Sequence, residues 1–378
     1  LFTAEIADRA TEAENARNYP QDLVDRMAEA GLYRLCNPRA LGGLEGSAAD
    51  YARAVERLAR ADGSAGWVIF IGITSMVTLA HFPPDVAGAM LAAPDTKAAG
   101  VFAPRGRAQA VTVDGQAGFL LSGQWQWGSG SQNCDWLSCG GFVTDAGGQL
   151  VMLDNGRPDQ RAFALRREQV TFIDTWDVSG LRGTGSTDFK VDNVFVPEAY
   201  ARRVFDPAPG NETIYAFPTF GFLAVGIAAV ALGIARAAID ELLSFAGAKT
   251  PEGSRRKLAQ KSATQRAVAE AEALVRAARL FFYDAIETAW AEAEQMGAAT
   301  PEARRNLRLA MTHTVRACSQ AVTKMYETGG GTSVYRTSRL QRHFRDIHVA
   351  TQHMMVSPDI YELTGRLFLD VETDISML

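Results

Sequence analysis

The first hundred residues repeat apolar positions at the spacing of an α-helix. In PQDLVDRMAEAGLYRL the side chains of Leu23, Met27 and Ala30 fall near one stripe, with polar residues between them. A second amphipathic segment starts after Ser47, whose hydroxyl suits an N-cap, and a mostly apolar segment follows it. This pattern predicts a helical domain over residues 1–100.

The pattern changes between residues 101 and 205 to short β-branched or aromatic runs. Asp-Gly, Ser-Gly and Gly-Gly pairs separate these runs, which is typical of strands joined by tight turns. We therefore predict a β domain here. The last run, DFKVDNVFVP, alternates strictly. Its alternation predicts one face with Phe189, Val191, Asn193 and Phe195 and an opposite face with Val194 and Val196.

Helical spacing returns over residues 206–378. The uncharged run Gly221–Ala235 has 15 residues, whereas about 20 are needed to cross a bilayer. Its glycines and alanines permit close helix contacts, so we interpret it as a buried helix. Farther along, Thr300 and Pro301 suit an N-cap and a first turn, and glycines 329–331 end that helix. The region predicts a C-terminal helical bundle.

Composition and charge argue against several classes of protein. The chain has 378 residues, enough for a large core, and 38 basic against 43 acidic residues give a net charge of −5. This balance argues against nucleic acid as a partner. The four cysteines are scattered and the first residues contain no apolar run, so we expect free thiols and a cytoplasmic protein without a secretory signal.

Three of the five histidines lie in RHFRDIHVATQHMMVSP, residues 342–358. If this stretch is one helix, Asp346 and His353 project within about 20° of each other. The three histidines follow at five-residue steps, whereas metal-binding pairs on a helix prefer three or four, so we expect no metal site. We expect exposed or capping roles for His343 and His348. His353 is either a core histidine or an active-site residue.

Two short stretches combine glycine with hydroxyl side chains. In GQWQWGSGSQNCDW the strand pattern predicts Trp125 and Trp127 on one face, followed by a turn at Ser129. A buried aromatic strand and a ligand-binding turn explain this stretch equally well. In GLRGTGS, Gly180–Ser186, the glycines either let backbone amides approach a ligand or form a tight turn.

Four stretches, taken in order along the chain, resemble the acyl-CoA dehydrogenase fold. They are LYRLCNPRALGGLEGSAADYARAVERLARADGSAGW, GQWQWGSGSQNCDW, DTWDVSGLRGTGSTDFKVDNVFVP and GGGTSVYRTSRLQRHFRDI. The resemblance covers nearly the whole chain and is greater to the group D flavin-dependent monooxygenases, the oxygenase components similar to 4-hydroxyphenylacetate hydroxylase. It implies an α+β fold: an N-terminal helical domain (1–100), a central β-barrel domain (101–205) and a C-terminal four-helix bundle (206–378).

The residues after the Arg345-Asp346 pair bear on the choice between branches. An acyl-CoA dehydrogenase removes an α-proton with a glutamate, often a few residues after this pair, but here no carboxylate occurs before Asp359. In the monooxygenases a histidine at the spacing of His353 faces flavin and substrate. The resemblance thus implies a reduced-flavin-dependent monooxygenase that hydroxylates a small aromatic substrate through a C4a-hydroperoxyflavin. The alternative is an FAD-dependent acyl-CoA dehydrogenase with its glutamate on an earlier helix.

The resemblance also implies site residues. His353 would donate a proton to the forming peroxide or deprotonate a phenolic substrate, and Ser129 would bond the flavin or the substrate. His81, which also suits a helix-capping role, would lie near the peroxide. The cofactor-binding residues would be Trp127, Ser129, Ser131, Trp176, Arg182, Thr184, Ser186, Gln265, Gly329, Gly330 and Gly331. Glycines 329–331 and Gln265 would contact the flavin of a neighbouring subunit. Arg255 and Arg256 would either meet that flavin or form a solvated charge run.

The implied cofactor is reduced FMN or FAD, with molecular oxygen as co-substrate. Because no nicotinamide-binding motif occurs, the flavin would come from a separate NAD(P)H:flavin reductase. The Ala-rich bundle helices suit a homotetramer, and we expect no membrane association. An aromatic substrate is suggested by apolar side chains expected near the pocket, namely Trp125, Trp127, Phe220, Phe222, Met354 and Met355.

Overall fold

The computed structural model of the chain describes residues 2–378. The first part is helical: α1 (Thr3–Ala16), α2 (Gln21–Glu29), α3 (Ala48–Ala61), α4 (Gly63–Ala80) and α5 (Pro84–Met90). Ser47 Oγ accepts the amide of Asp50, and the Asp50 carboxylate accepts the Ser47 amide in return. Asp62 caps α4 by accepting the amide of Ala65. The predicted N-cap at Ser47 is confirmed.

The central strands form one sheet: β1 (Ala98–Val113), β2 (Gln116–Trp125), β3 (Trp136–Thr144), β4 (Gln160–Arg166), β5 (Thr171–Ile173), β6 (Asp188–Pro197) and β7 (Ala201–Arg203). Their order is β5-β6-β2-β1-β3-β4-β7, with β1 and β3 parallel and the other neighbours antiparallel. Within residues 2–378 no ladder joins the edge strands β5 and β7. The β region expected as a barrel is therefore an open sheet.

Strand β6 departs from strict alternation at Asn193. Phe189 and Val191 are buried, as predicted, but Asp192 and Asn193 together occupy a place where β2 supplies a single residue. Asn193 takes a left-handed φ of 49°. This β-bulge reverses the face of every residue that follows, so Val196 is buried in the same cluster as Phe189. The predicted faces were wrong beyond Asp192.

Strand β2 ends at Trp125, so the two tryptophans of this stretch do not share a face. Trp125 is buried, stacks on Phe189 with ring centroids 5.3 Å apart, and donates its indole N–H to the Gly140 carbonyl. Trp127 has a left-handed φ of 66°, and its side chain is 64% exposed. The predicted common face was wrong because the backbone leaves the strand between them.

The C-terminal part is helical again: α6 (Thr213–Ala216), α7 (Thr219–Ala246), α8 (Ser262–Met296), α9 (Pro301–Gly329), α10 (Arg339–Ala350) and α11 (Asp359–Phe368). Helices α7 to α10 pack as the predicted four-helix bundle. Thr300 caps α9 by accepting the amide of Ala303, and Pro301 occupies the first turn. Both ends of α9 therefore lie where the sequence predicted them.

Helix α7 is the buried helix that its uncharged sequence predicted. A Cβ on Gly226 would lie 2.1 Å from the Tyr51 hydroxyl and 2.5 Å from the Phe70 ring, so glycine lets α3 and α4 approach. Helices α4 and α7 are long and apolar enough to cross a membrane, but 89% and 83% of their apolar windows are buried inside the structure. Burial of this kind is usual for core helices.

Buried apolar side chains form two clusters. The larger joins the first helices to the C-terminal bundle through contacts of α3 and α4 with α7. The smaller covers the sheet around Leu121, Trp125 and Phe163. The two helical parts thus share one core, while the domain boundaries at residues 100 and 205 stay a prediction.

Candidate active site

His353 lies just beyond the end of α10 and not on it. The helix ends at Ala350, and His353 caps a short 3-10 helix over Met354–Val356. The helix face predicted for Asp346 and His353 together was therefore wrong. We call residues 351–356 the histidine loop.

The hydrogen bonds of His353 define its protonation. Its Nδ1 accepts the amide of Met355 (3.2 Å), so the neutral ring carries its proton on Nε2. Burial and, after it, the charge of Arg308 lower the pKa of His353 to about 4. At neutral pH His353 is therefore an uncharged donor at Nε2. Nε2 could accept a proton only in the other tautomer, in which Nδ1 carries the proton and the hydrogen bond from Met355 is lost.

A chain of hydrogen bonds begins at Trp67, beside this ring. Trp67 of α4, whose ring centroid lies 6.0 Å from that of the histidine, donates its indole N–H to Ser129 Oγ (3.1 Å). Ser129 Oγ is 2.6 Å from Ser186 Oγ, which is 2.6 Å from Thr184 Oγ1. Thr184 donates to the Leu181 carbonyl (2.7 Å). Every hydroxyl in this series, which we call the hydroxyl chain, is buried and bonded.

Leu181 connects the hydroxyl chain to α10. Its carbonyl also accepts the indole N–H of Trp176 (3.2 Å), and its amide donates to the Asp346 carboxylate (2.6 Å). Leu181 has a left-handed φ of 50°, which is unfavourable for a leucine, and these bonds offset that cost. A Cβ on Gly180 would lie 2.4 Å from the Arg345 backbone, so only glycine permits this approach. The stretches GSGS, GLRGTGS and RHFRD thus form one bonded unit.

Buried carboxylates lie at the same junction. Burial, with the neighbouring Asp62, raises the pKa of Asp346 to about 7, and burial raises the pKa of Asp62 to about 6. Glu14 of α1 binds both Arg342 (2.9 Å) and Arg345 (2.5 Å) of α10. The carboxyl groups of this junction therefore bind protons more strongly in the folded state, while partly buried ion pairs fasten α1 to α10.

Helix α9 presents polar side chains to the histidine loop. Arg308, Thr312 and Arg316 follow at four-residue steps and so lie on one face, which we call the α9 stripe. Arg316 Nη2 donates to the carbonyls of Thr351 (3.3 Å) and Val356 (3.4 Å). Arg316 thereby holds both ends of the histidine loop against α9.

The α9 stripe, unlike the hydroxyl chain, contains buried polar atoms that lack a partner. Arg308 Nε, Thr312 Oγ1 and Arg316 Nε make no hydrogen bond within residues 2–378. Arg308 is 1% exposed, and its guanidinium donates only to the Phe220 carbonyl (3.1 Å) among the described residues. Burial lowers the pKa of Arg308 to about 10.

Aromatic side chains border these polar groups. Phe220, in the first turn of α7, packs edge-on against Phe102 of β1 (centroids 5.5 Å apart), and Phe70 packs edge-on against Trp67 (4.9 Å). In the part of the chain that the structure describes, no carboxylate hydrogen-bonds to His353 or to the α9 stripe. The region offers N–H donors and aromatic surface, and among the described residues no carboxylate is bonded to those donors.

The structure separates His81 from His353. Trp67 and His81 are 14 residues apart along α4, which corresponds to about 21 Å of helix. His81 Nδ1 lies 2.8 Å from the Val77 carbonyl, so Nδ1 carries the proton, and the ring packs edge-on against Tyr215. Burial lowers the pKa of His81 to about 4. His81 thus caps the last turn of α4, the simpler role considered for it.

Other predicted cofactor residues flank the hydroxyl chain. Ser131 is buried and donates to the Gly128 carbonyl (2.6 Å), and Arg182 is paired with Asp177 (2.7 Å). Trp127 projects from the turn before Ser129 and is mostly exposed. Of these side chains, Trp127 has the free surface that a planar ring could cover.

Gln265 and glycines 329–331 lie at the far end of the bundle, since Gly329 is 21 residues, or about 31 Å, beyond Arg308 along α9. Gln265 is exposed and donates to the Ala259 carbonyl (3.1 Å), as Lys249 does to that of Gly329 (2.5 Å). Arg255 and Arg256 are exposed. An open cavity of about 520 Å³ lies nearby, lined by Glu241, Phe245, Ala248, Lys249, Thr332, Tyr335, Thr337 and Ser338. Within one chain these residues do not reach His353.

Of the other two histidines of the stretch, His343 differs from expectation. His343 is 7% exposed, burial lowers its pKa to about 3, and it lines a polar cavity of about 180 Å³ with Asp62 and Arg342. The exposed or capping role expected for it was wrong. His348 is half-buried, with Nε2 3.3 Å from Thr323 Oγ1. Across residues 2–378 no group of three or more His, Cys, Asp or Glu side chains could hold a metal ion.

Known families account for this architecture. Residues 1–85 match the acyl-CoA dehydrogenase N-terminal domain, and residues 225–358 match the acyl-CoA dehydrogenase C-terminal domain. The chain is 34% identical over 366 residues to indole-3-acetate monooxygenase of Pseudomonas putida, which covers 96% of this chain and 91% of that relative. The chain belongs to the acyl-CoA dehydrogenase family.

Within this family the similar proteins include flavin-dependent monooxygenases. The flavin-dependent monooxygenase oxygenase subunit HsaA of Rhodococcus jostii is 31% identical over 381 residues, 94% of this chain and 92% of that one. The solved structure of 3-HSA hydroxylase from Rhodococcus sp. RHA1 has a TM-score of 0.89 at 27% identity, covering 100% of this chain and 97% of that chain. Apart from the open sheet in place of a barrel, the predicted fold and branch are confirmed. The chain is the oxygenase component of a flavin-dependent monooxygenase, and these relatives do not favour the dehydrogenase alternative.

The residues around His353 fit a flavin of this branch. The exposed indole of Trp127 offers a flat apolar surface, and the neighbouring Gly128 has no room for a side chain because its Cβ would lie 2.9 Å from Phe189. Buried N–H donors of the α9 stripe lack partners within the described residues. A bound flavin ring would therefore be held by Trp127 and the 128–131 turn, beside the Nε2 donor of His353.

Proposed function

We propose that this enzyme hydroxylates a small aromatic compound with reduced FMN or FAD and molecular oxygen. The observation that carries the proposal is the uncharged, Nε2-protonated His353 in a site where, within residues 2–378, no carboxylate hydrogen-bonds to it. A dehydrogenase requires a base that removes a carbon-bound proton, whereas this arrangement supplies a hydrogen-bond donor. The relatives named for indole-3-acetate and for a flavin-dependent oxygenase subunit support the same chemistry.

The chain supplies binding, orientation and proton control. A reduced flavin, when bound, supplies the electrons that activate oxygen. His353 holds a proton at Nε2 for the oxygen that is transferred, and Met355 holds the ring in that tautomer. Trp67 and Phe220, with the aromatic rings packed on them, exclude water and accept an aromatic substrate. Arg316 positions the loop from which His353 acts.

We also propose that a separate NAD(P)H:flavin reductase delivers the flavin, that the enzyme is a homotetramer and that it is cytoplasmic. The name oxygenase subunit of the Rhodococcus jostii relative supports a reductase partner. Exposed apolar side chains on α8 and near the end of α7 support assembly, namely Leu243, Leu280 and Met296 at 49%, 75% and 59% exposure. The cysteines, which are buried and form no disulfide within residues 2–378, support a reducing compartment.

The direct test supplies the purified chain with FMN or FAD, NADH and a flavin reductase under labelled oxygen. With indole-3-acetate and a panel of phenols we expect labelled oxygen in the product of at least one aromatic compound, at a rate that depends on the chain. The control is the same mixture without the chain, which reports peroxide chemistry of free flavin.

An anaerobic arm tests the dehydrogenase. Oxidised FAD bound to the chain should keep its absorption when acyl-CoA thioesters of several lengths are added. Bleaching by a thioester, together with the absence of labelled aromatic product, would overturn the proposed function.

A further inference from the structure

Arg308 is a buried cation without a counter-ion. It is 1% exposed, it belongs to no ion pair within residues 2–378, and its Nε is unpartnered there. A guanidinium carries five N–H donors, and this one uses a single donor on the Phe220 carbonyl (3.1 Å). An uncompensated charge in a protein interior is costly, so an anion that is not part of the chain is expected beside it.

The surroundings of Arg308 indicate what kind of anion this is. Phe220, whose carbonyl accepts the hydrogen bond of Arg308, packs on Phe102. His353 is close enough to Arg308 for the guanidinium charge to lower the pKa of the histidine. The unpartnered hydroxyl of Thr312 follows on the same helix face. One cation bordered by aromatic rings matches a small ligand that joins an aromatic ring to an acidic group.

We propose that Arg308 binds the carboxylate of the substrate, so that the enzyme selects aromatic acids over their uncharged analogues. The planar guanidinium suits a carboxylate because it donates two parallel hydrogen bonds to it. With its carboxylate bound to Arg308, the acid directs its aromatic ring toward His353 and the hydroxyl chain. This assignment rests on the proposed function and names the substrate class.

The experiment compares an acid with its neutral isostere in the wild-type chain and in Arg308→Met. The probes are indole-3-acetate and indole-3-acetamide, with 4-hydroxyphenylacetate and its amide as a second pair, and dissociation constants are measured by calorimetry with and without FMN. The wild-type chain should bind at least one acid about 10- to 100-fold more tightly than its amide. In Arg308→Met this ratio should fall to within about threefold of one, because the variant keeps the stem and loses the charge.

Two further variants keep the test interpretable. Arg308→Lys should retain a reduced preference for the acid, since it keeps the charge and loses the paired donors. Arg305→Met, on the same helix but paired with Glu302, should leave the acid-to-amide ratio unchanged. Because no counter-ion is lost, Arg308→Met should unfold at or above the wild-type temperature in the absence of ligand.

Several results would overturn the inference. Equal wild-type affinity for acids and amides would do so, as would an unchanged ratio in Arg308→Met. A loss of FMN affinity in Arg308→Met with the ratio intact would assign the anion to the cofactor instead. Labelled product from an aromatic amine or phenol without acid preference would sink this inference and leave the proposed function standing. An acid preference without any oxygenated product would do the reverse.

Discussion

The hydroxyl chain and the α9 stripe both place buried polar side chains near His353, but they differ in how those side chains are satisfied. In the hydroxyl chain each hydroxyl meets a neighbour, and the series ends on the Leu181 carbonyl. In the α9 stripe three buried atoms have no partner within residues 2–378. A closed series rigidifies a site, whereas unpartnered donors are available to a ligand.

This difference separates two tasks that one active site has to perform. The hydroxyl chain holds Trp67, the 128–131 turn and Leu181 in fixed relation, and Asp346 extends it to α10. The α9 stripe holds the histidine loop through Arg316 and leaves the Arg308 guanidinium with the Phe220 carbonyl as its one partner among the described residues. The hydroxyl chain acts as a scaffold, and the α9 stripe contacts the ligand. Substitutions in the hydroxyl chain should therefore mainly lower stability, and those in the α9 stripe should mainly change ligand binding.

The largest effect on activity is expected from substitution of His353, which lies near both regions. His353→Ala should lower product formation by about 100-fold or more, because the proton held at Nε2 is lost, while oxygen consumption continues and releases peroxide. The measurement is labelled product per oxygen consumed. His348→Ala is the matched control and should stay within about threefold of wild type, since that ring bonds Thr323 instead. Undiminished coupling in His353→Ala would remove the histidine from the mechanism.

A pair of isosteric substitutions tests the comparison itself. Thr184→Val interrupts the hydroxyl chain and leaves Ser186 and Leu181 short of a partner, so it should lower the free energy of unfolding by about 1–3 kcal/mol. Thr312→Val removes a hydroxyl that has no partner in the described chain, so it should be neutral or slightly stabilising. Urea unfolding of both variants measures this. Equal destabilisation would mean that the two regions do not differ.

The junction carboxylates predict a pH dependence. Because burial raises the pKa of Asp346 to about 7, above the value near 4 expected in the unfolded chain, the folded state binds its proton more strongly. Stability from this group is complete below about pH 4 and is lost as the pH rises through 7. The free energy of unfolding of Asp346→Asn should therefore fall less than that of wild type between pH 4 and 8, by roughly 1–3 kcal/mol. Thermal unfolding across this range is the measurement, and the exposed Asp359→Asn should retain the wild-type slope.

The smallest effect on stability is expected at the exposed Trp127. Trp127→Ala should change the free energy of unfolding by less than about 0.5 kcal/mol, because the side chain is mostly in water. It should weaken binding of reduced FMN by about 3- to 10-fold, as expected for loss of one stacking partner. Leu150→Ala, another exposed apolar side chain, should change neither quantity. Unchanged flavin affinity in Trp127→Ala would move the flavin away from the 128–131 turn.

Sequence signals that act within a few residues predicted much of the fold. Ser47 and Thr300 cap their helices as expected, since the capping atoms belong to neighbouring positions. The faces of β6 failed because a left-handed Asn193 inserts one extra residue, and the alternation of apolar types does not reveal it. The prediction that Trp125 and Trp127 share a face was wrong for a related reason. Strand β2 ends at Trp125, and Trp127 itself takes a left-handed φ, which the apolar pattern does not reveal.

The candidate site was predictable through resemblance and less so from the residues themselves. His353 and Ser129 both lie beside Trp67, although no sequence pattern indicated that Trp67 joins them. Arg308 was missed, yet a signal exists, because it replaces an apolar residue in the buried series Arg308, Met311, Val315, Cys318 and Val322. A charged residue at such a position means either that the helix face has been assigned wrongly or that the residue binds a ligand.

The bond between Leu181 and Asp346 joins residues 165 positions apart, and this separation orders the events of biosynthesis. When GLRGTGS leaves the ribosome, the helix that will fix it has not been translated, and domains tend to fold from the N-terminus as they emerge. The strained Leu181 gains its anchor only after α10 has docked. A nascent or truncated chain can therefore complete its sheet and still lack an oxygenase site, so that catalytic competence arrives with one of the last helices made.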